Sequence, residues 1–432
     1  MRVYLISPRS PVPCVSEREK AIQFSRLTLA TVAALFPKHS EIKIVNDNLD
    51  EINFNEKADI VGITSITSTA PRAYEIADKF RERGIPVIMG GIHPSILPEE
   101  ASKHANSVVI GEAEGVMDDL ISDFQKGKLK KFYSSPEKPS LKNLPLPRRN
   151  LWEKNKYYRE LNMVQTTRGC PYHCDFCSVS TFFGRTYRTR PIQEIVEEVK
   201  KLPTRNIFFV DDNITAIPNY AKKLFKAITP LKIRWFGQGS INIAKDRELM
   251  RTAAKSGCYG LFIGFESLSD ANLKQVSKTI NSVKEYHTAI KKIHDYGIGI
   301  VGAFIFGFDY DDESVFEKTV RFIERNQIEL ASFSILTPLP GTKLYKRMEE
   351  ENRIIERNWA KYTCGEVVFK PKLMSAEKLQ EGYNWARKQI SSYGSIFLRT
   401  LHPRKISLLS LPLNLMMRKA LRSFLRNKKA SI

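Results

Sequence analysis

Arg168-Gly169-Cys170-Pro171-Tyr172-His173-Cys174-Asp175-Phe176-Cys177 is the segment on which the reading of this chain turns. Three of the six cysteines in 432 residues fall within eight positions, spaced C-x3-C-x2-C. Soft thiolates packed this closely make a metal site. Zinc sites use paired C-x2-C knuckles or added histidines to reach four ligands. Electron-transfer iron–sulfur clusters also want four cysteines. Here three are local, and Cys14, Cys258 and Cys364 are remote. A cluster on three thiolates leaves one iron open, which is what a catalytic site needs. The competing readings are a structural zinc site completed by His173 or a remote cysteine, and an electron-transfer or sensor protein with Cys258 or Cys364 as fourth ligand.

Outward from this loop the chain alternates strand and helix. Apolar runs predict strands over 163–166, 207–210, 234–237, 260–265, 299–306 and 332–336, with helices over 192–201, 220–228, 247–256, 283–296 and 314–325. Six such repeats predict a parallel barrel, complete or partial, with its active site at the C-terminal ends of the strands. Before it, strands over 3–6, 42–45, 60–64, 86–89 and 108–110 alternate with helices over 19–36, 72–83 and 112–125. That pattern predicts a doubly wound parallel sheet, with ligands beyond the strand ends, at loops 8–15, 65–70, 90–94 and 111–114. The expected organisation is a Rossmann-like domain over 1–133, a Pro-rich, semi-rigid linker over 134–160, the barrel over 161–345, a helical extension over 346–398 anchored by Trp359, Tyr362 and Trp385, and a basic tail over 399–432.

C-x3-C-x2-C after the first strand of a (β/α)6 barrel, with the aromatic Phe176 before the third cysteine, resembles the signature of the radical S-adenosylmethionine (SAM) enzymes. The resemblance covers about 161–340. It implies a [4Fe–4S] cluster on Cys170, Cys174 and Cys177, SAM on the fourth iron, and reductive cleavage of SAM to a 5′-deoxyadenosyl radical. It also implies a reductant such as flavodoxin or ferredoxin. Asp211-Asp212-Asn213 stands where the family carries a glycine-rich motif, and Asp211 and Asp212 are expected at the SAM ammonium. Gln238 and Ser240 are expected at the ribose, Glu266 at the ribose or aminoacyl group, and Gly307, with Phe176, beside the cofactor. Residues 336–342 resemble a turn of these enzymes with a structural job. The domain over 1–130 resembles the cobalamin (B12)-binding domain of one subfamily, on Gly90-Gly91-Ile92-His93-Pro94 and Gly111-Glu112-Ala113-Glu114. Ser65, Gly90, Gly91, His93, Gly111 and Glu112 are the expected contacts. Glycines at strand ends let backbone approach a flat macrocycle. The D-x-H-x-x-G segment that supplies a cobalt ligand elsewhere is absent, and an empty, structural domain is the alternative.

Composition bounds these readings. With 42% hydrophobic residues the chain buries a real core, and six cysteines exclude a disulfide scaffold. Lys and Arg number 68 against 47 Asp and Glu, a net charge of +21. No acidic residue follows Glu381, and the 11 Lys and Arg after it carry about half of that charge. Leu413, Met416, Met417, Ala420, Leu421, Phe424 and Leu425 predict one apolar helical face, with Pro412 at the first helical position and Arg418, Lys419, Arg422 and Arg426 off it. Such a helix suits an anionic membrane surface, and a helix docked on the barrel is the alternative. No nucleic acid partner is expected. With no signal segment read in Met1–Pro8 and no apolar run near the ~20 residues that span a bilayer, the expectation is a cytoplasmic enzyme, peripheral to the membrane at most. The function this supports is cobalamin-dependent methyl transfer to an unactivated carbon of a hydrophobic, lipid-like substrate. Radical cyclisation or C–C coupling on a lipid or tetrapyrrole is the alternative. A tRNA or protein methylthiotransferase is disfavoured, since Cys14 is the only cysteine in the first 130 residues.

Overall fold

Short runs of aliphatic and aromatic residues become strands β1 (Arg2–Ser7), β2 (Glu41–Asn46), β3 (Ile60–Thr64), β4 (Val87–Gly90), β5 (Ser107–Ile110) and β6 (Phe132–Ser134). All six are parallel, in the order β2-β1-β3-β4-β5-β6. The computed structural model describes residues 1–11, 27–152, 161–401 and 407–430. Alternate residues of β1 feed opposite faces: Val3 and Leu5 join one core, Tyr4 and Ile6 the other. A sheet buried on both faces is how a parallel sheet hides its apolar residues. The sequence predicts five strands here; β6 is the sixth, three residues too short to show a period. Loop residues 12–15, with Cys14, and the predicted helix before Leu27 lie outside the described residues.

The second sheet holds β7 (Leu161–Val164), β10 (Asn206–Phe209), β11 (Arg234–Gly239), β12 (Cys258–Glu266), β13 (Gly299–Phe306) and β14 (Leu330–Ile335). Every pairing is parallel between sequence neighbours, with β7 and β14 at the two edges, so the six units form a partial barrel. Between β7 and β10, β8 (Thr167–Arg168) pairs antiparallel with β9 (Arg188–Thr189), closing the cysteine loop at its base.

The segment after β6 is fastened rather than free. The Arg148 amide donates to the Ala30 carbonyl, and the Arg149 guanidinium donates to the Met163 carbonyl and pairs with Glu198. Trp152 is buried in the N-terminal core. Residues 153–160 lie outside the described residues.

Beyond the barrel, helices Lys343–Glu350, Ala376–Ile390, Tyr393–Thr400 and Ser407–Ala430 follow. Tyr362 is buried and Trp359 anchors to the N-terminal domain, whereas Trp385 is 39% exposed. The last helix starts at Ser407, so Pro412 lies inside it rather than at its first position. Its docked face is not the apolar face that the alternative, a helix docked on the barrel, would use. Ser410, Asn414 and Leu421 are buried, while Leu413, Leu415, Met416 and Met417 are exposed. The polar residues bury because the preceding helix delivers Arg399, 1% exposed, to the same spot. The Arg399 guanidinium donates to the carbonyls of Ile328, Glu329 and Ile390 and to Asn414 Oδ1, and Asn414 donates to the Glu329 carbonyl. Burial lowers the Arg399 pKa to about 10. Arg404 and Lys405, and the side chains of Phe424, Leu425, Arg426, Lys428 and Lys429, lie outside the described residues. Among the described residues no helix is long and apolar enough to cross a membrane.

Candidate active site

The cysteine loop leaves β8 at the C-terminal end of the barrel, where a parallel barrel gathers its functional groups. Gly169 turns it with φ +86, and a Cβ there would sit 2.1 Å from the Thr186 carbonyl oxygen, so only glycine fits. The loop is pinned by the Asp175 amide donating to the Val276 carbonyl and the Leu344 amide donating to the Asp175 carbonyl. Phe176 packs inward, edge-on to Phe308 at 6.5 Å. The three thiols feel one another's charge, and burial pushes all three up, Cys174 to about 12. Among the described residues no three His, Cys, Asp or Glu groups converge tightly enough to hold a single ion. Metal ligation by these cysteines must therefore release their protons.

The carboxylates at the end of β10 divide the work. Asp211 is fully buried, and its Oδ1 accepts from the amides and hydroxyls of Thr166 and Thr167. It ties the strand end together, and its Oδ2 is buried without a partner. Asp212 faces the loop, accepts from the Gly169 amide, and lies within electrostatic reach of Cys170 and Cys177. Burial pushes Asp211 up to about 6, and burial together with the Asp211 charge does the same for Asp212.

Glu266 ends β12 in a left-handed conformation, φ +64, and pairs with Lys278 at 3.0 Å. Lys278 is a member of the site that the sequence reading missed. Burial alone would lower its pKa, but the Glu266 carboxylate and the thiols of Cys174 and Cys177 outweigh it and hold Lys278 above the usual lysine range. Its sequence signal was weak, a lysine twelve residues past a strand end among many surface lysines. Ser240 is buried beside Tyr172 of the loop, and Gln238, half-buried, receives the Ile214 amide on its backbone carbonyl. Gly307 is not brought to this group. A Cβ on it would meet Leu379 at 2.8 Å and Phe369 at 3.1 Å, so its absent side chain makes room for the C-terminal extension.

A cavity of 490 Å³ lies between the two sheets, at the carboxyl ends of β3, β4 and β5. Ser65, Gly90, Gly91 and Gly111 line one side, and Met163, Gln165 and Val210 of the barrel line another. Most of its wall is apolar. Gly111 has φ +86 and nothing within 4 Å of where a Cβ would stand, so its backbone opens onto the cavity. The Ser65 hydroxyl is buried without a partner. An open backbone edge and an orphaned hydroxyl fit a flat macrocycle with polar edges.

Glu112 lines the cavity, but its carboxylate is taken. Oε2 accepts from Arg168 at 2.6 Å and Oε1 from Arg188 at 2.5 Å. Glu114 takes the other arm of Arg168 at 2.6 Å. Burial alone would raise Glu114, yet Arg168 holds it below the usual carboxylate range. These pairs dock the N-terminal domain beside the cysteine loop. Removing one partner of a buried pair costs about 3–5 kcal/mol.

His93 is not in the cavity wall. Its ring is fully buried behind the 90–94 turn, with Nε2 3.1 Å from the Tyr74 hydroxyl and 3.3 Å from Glu100 Oε1. Trp359 of the C-terminal extension donates to the same Glu100 carboxylate. His93 is the second residue of a short helix, Ile92–Ile96, which carries the ring away from the strand ends. Among the described residues no histidine lines the cavity.

Two halves with a cavity between them, one bearing a cysteine loop and the other glycine-edged strand ends, define a class. Family models agree: "Radical SAM superfamily" matches 164–323, "B12 binding domain" 28–121, and a domain of unknown function (DUF4070) 342–425. The chain is 33% identical over 86% of its length, and 84% of the relative's, to bacteriochlorophyllide d C-12(1)-methyltransferase of Chlorobaculum tepidum. It is 32% identical over 88% of each chain to that organism's bacteriochlorophyllide d C-8(2)-methyltransferase. The radical S-adenosylmethionine methyltransferase TsrM of Kitasatospora setae has the same fold, with TM-score 0.72 at 15% identity over 100% of this chain and 99% of that one. The chain belongs to the cobalamin-binding radical SAM methyltransferases, enzymes whose cofactors are a [4Fe–4S] cluster, SAM and cobalamin.

Proposed function

We propose that this enzyme transfers a methyl group to an unactivated carbon of a hydrophobic substrate, at the mouth of the barrel beneath the cavity. The observation that carries the reading is the cavity itself. It is apolar, edged by open glycine backbone, and walled on its far side by Met163, Gln165 and Val210, which belong to the barrel that bears the thiols. A macrocycle seated there would lie beside the barrel end that carries the cysteine loop.

In this reading Cys170, Cys174 and Cys177 hold the cluster. Asp212, Glu266 and Lys278 surround the remaining side of it, two carboxylates and one ammonium matched to the ammonium and carboxylate of an aminoacyl group. Ser240 and Gln238 lie on the next strand for the ribose. Ser65, Gly90, Gly91 and Gly111 take the macrocycle, with no histidine among the described residues lining its cavity. When bound, these groups supply reductive cleavage of SAM and a carrier for the methyl group; the protein positions them and excludes water. Phe176, Asp211, His93, Glu112 and Gly307 serve instead to pack, cap or dock the elements that carry the site.

A hydrophobic substrate is supported by the apolar wall and by relatives named for methylation of bacteriochlorophyllide d, a chlorophyll-type macrocycle. The outward apolar residues and basic charge of the last helix support peripheral contact with an anionic membrane. That helix docks at the start of β14, the barrel end opposite the cysteine loop, so the contact locates the enzyme rather than opening the site onto lipid. Cleavage tests the reading. The anaerobically reconstituted, reduced chain should convert SAM to 5′-deoxyadenosine, Cys174→Ala should abolish this, and Cys364→Ala should spare it. No cleavage by the reconstituted wild type would remove the reading.

A further inference from the structure

A second pocket, of 200 Å³, opens on the outer side of the cysteine loop. Cys174 and Cys177 line it with His173, Arg185, Ser180 and Lys343. None of the three loop cysteines lines the large cavity. The short helix Ser178–Phe183 separates the two: Phe182 and Phe183 face the cavity, Ser180 and Thr181 the pocket. Two of the three thiols are thus approached from solvent by a route that avoids the cavity.

The rim of that route is positive. Arg185 is exposed and, among the described residues, makes no ion pair. The Lys343 side chain is 64% exposed. Lys138 is exposed, donates to the Phe182 carbonyl, and places its stem 3.9 Å from where a Cβ on Gly184 would lie. The one carboxylate in the pocket wall is Asp175, 3.7 Å from Lys343 and mostly buried. Three exposed cations thus lie at or beside a pocket lined by two of the thiols, and none of the three lines the cavity.

We infer that the face formed by Lys138, Arg185 and Lys343 is where an acidic one-electron carrier protein docks to reduce the enzyme. The inference rests on the proposed role of the cysteines as cluster ligands. In the transfer the donor loses one electron and the cluster gains one, with no bond made or broken. Complementary charge raises the association rate and makes it fall with ionic strength, since exposed charges are screened beyond about 8 Å at physiological salt.

The test uses the full reconstituted chain, reduced flavodoxin as the acidic donor, and photoreduced deazaflavin as a small uncharged one. Cluster bleaching is followed by stopped flow, and flavodoxin binding is measured by calorimetry. Arg185→Glu with Lys343→Glu should lower the flavodoxin rate at least tenfold at low salt, flatten its salt dependence and weaken binding, with the deazaflavin rate unchanged. Lys138→Gln with Arg185→Gln, which keeps the Lys343–Asp175 pair, should give a smaller loss of the same kind. An unchanged flavodoxin rate and affinity would overturn the inference, as would equal slowing with both donors, which reports a distorted loop. Wild type that deazaflavin cannot reduce would indicate failure of the cluster reading instead.

Discussion

Gly111 shows how one residue carries a functional claim. Its left-handed backbone and the open space before it follow from ending a buried strand at the edge of a cavity. A Gly111→Leu side chain would project into the cavity and strain φ. The variant should lose cobalamin on gel filtration, read from its visible spectrum, while keeping iron and SAM cleavage. Retention of cobalamin would place the macrocycle elsewhere. Residue identity alone singled out rare side chains that the fold brings together. Three cysteines in eight positions, and glycines at strand ends, were legible. It failed where a common residue takes a special place. Lys278 looks like any of the chain's lysines until Glu266 folds onto it. His93, in a suggestive Gly-Gly-x-His-Pro context, is turned inward by its own short helix.

At the scale of elements, the period of apolar residues located the described strands of both halves, β6 aside, and their helices to within about five residues. The sequence could not show what holds the elements together, because ion pairs such as Arg168 with Glu112 and Glu114 join residues more than fifty positions apart. The Glu100 latch is another. It gathers His93, Tyr74 and Trp359, and its pKa falls to about 2, first through the hydrogen bond from His93. A folded pKa below the ordinary 4.5 means that this carboxylate's stabilisation is complete above about pH 4.5 and is lost as pH falls toward 2. Glu100→Gln should therefore melt below wild type at pH 6, with the gap in Tm narrowing as pH falls from 4.5 toward 2. A gap independent of pH would show that the latch does not act through its charge.

For the whole molecule, the charge of the chain divides by place. Part lies on the last helix, which turns its apolar residues out because Arg399 and Asn414 claim its inner face for the barrel. Deleting from residue 399 would expose the carbonyls Arg399 caps, so a point variant is the cleaner probe. Leu413→Glu with Met417→Glu, both at exposed positions, should abolish co-sedimentation with phosphatidylglycerol-containing vesicles and leave SAM cleavage unchanged. Binding unchanged in that variant, or a wild-type dimer that becomes monomeric in it, would contradict the membrane reading.

The central claim is that one chain holds both a thiolate-bound cluster and a cobalamin. Anaerobic reconstitution with iron, sulfide and hydroxocobalamin, followed by gel filtration and metal and corrin analysis, tests it most directly. The account predicts iron and sulfide for one [4Fe–4S] cluster together with one cobalamin per chain, and Cys170→Ala losing the iron but not the corrin. A chain that retains its cluster and no cobalamin would contradict it.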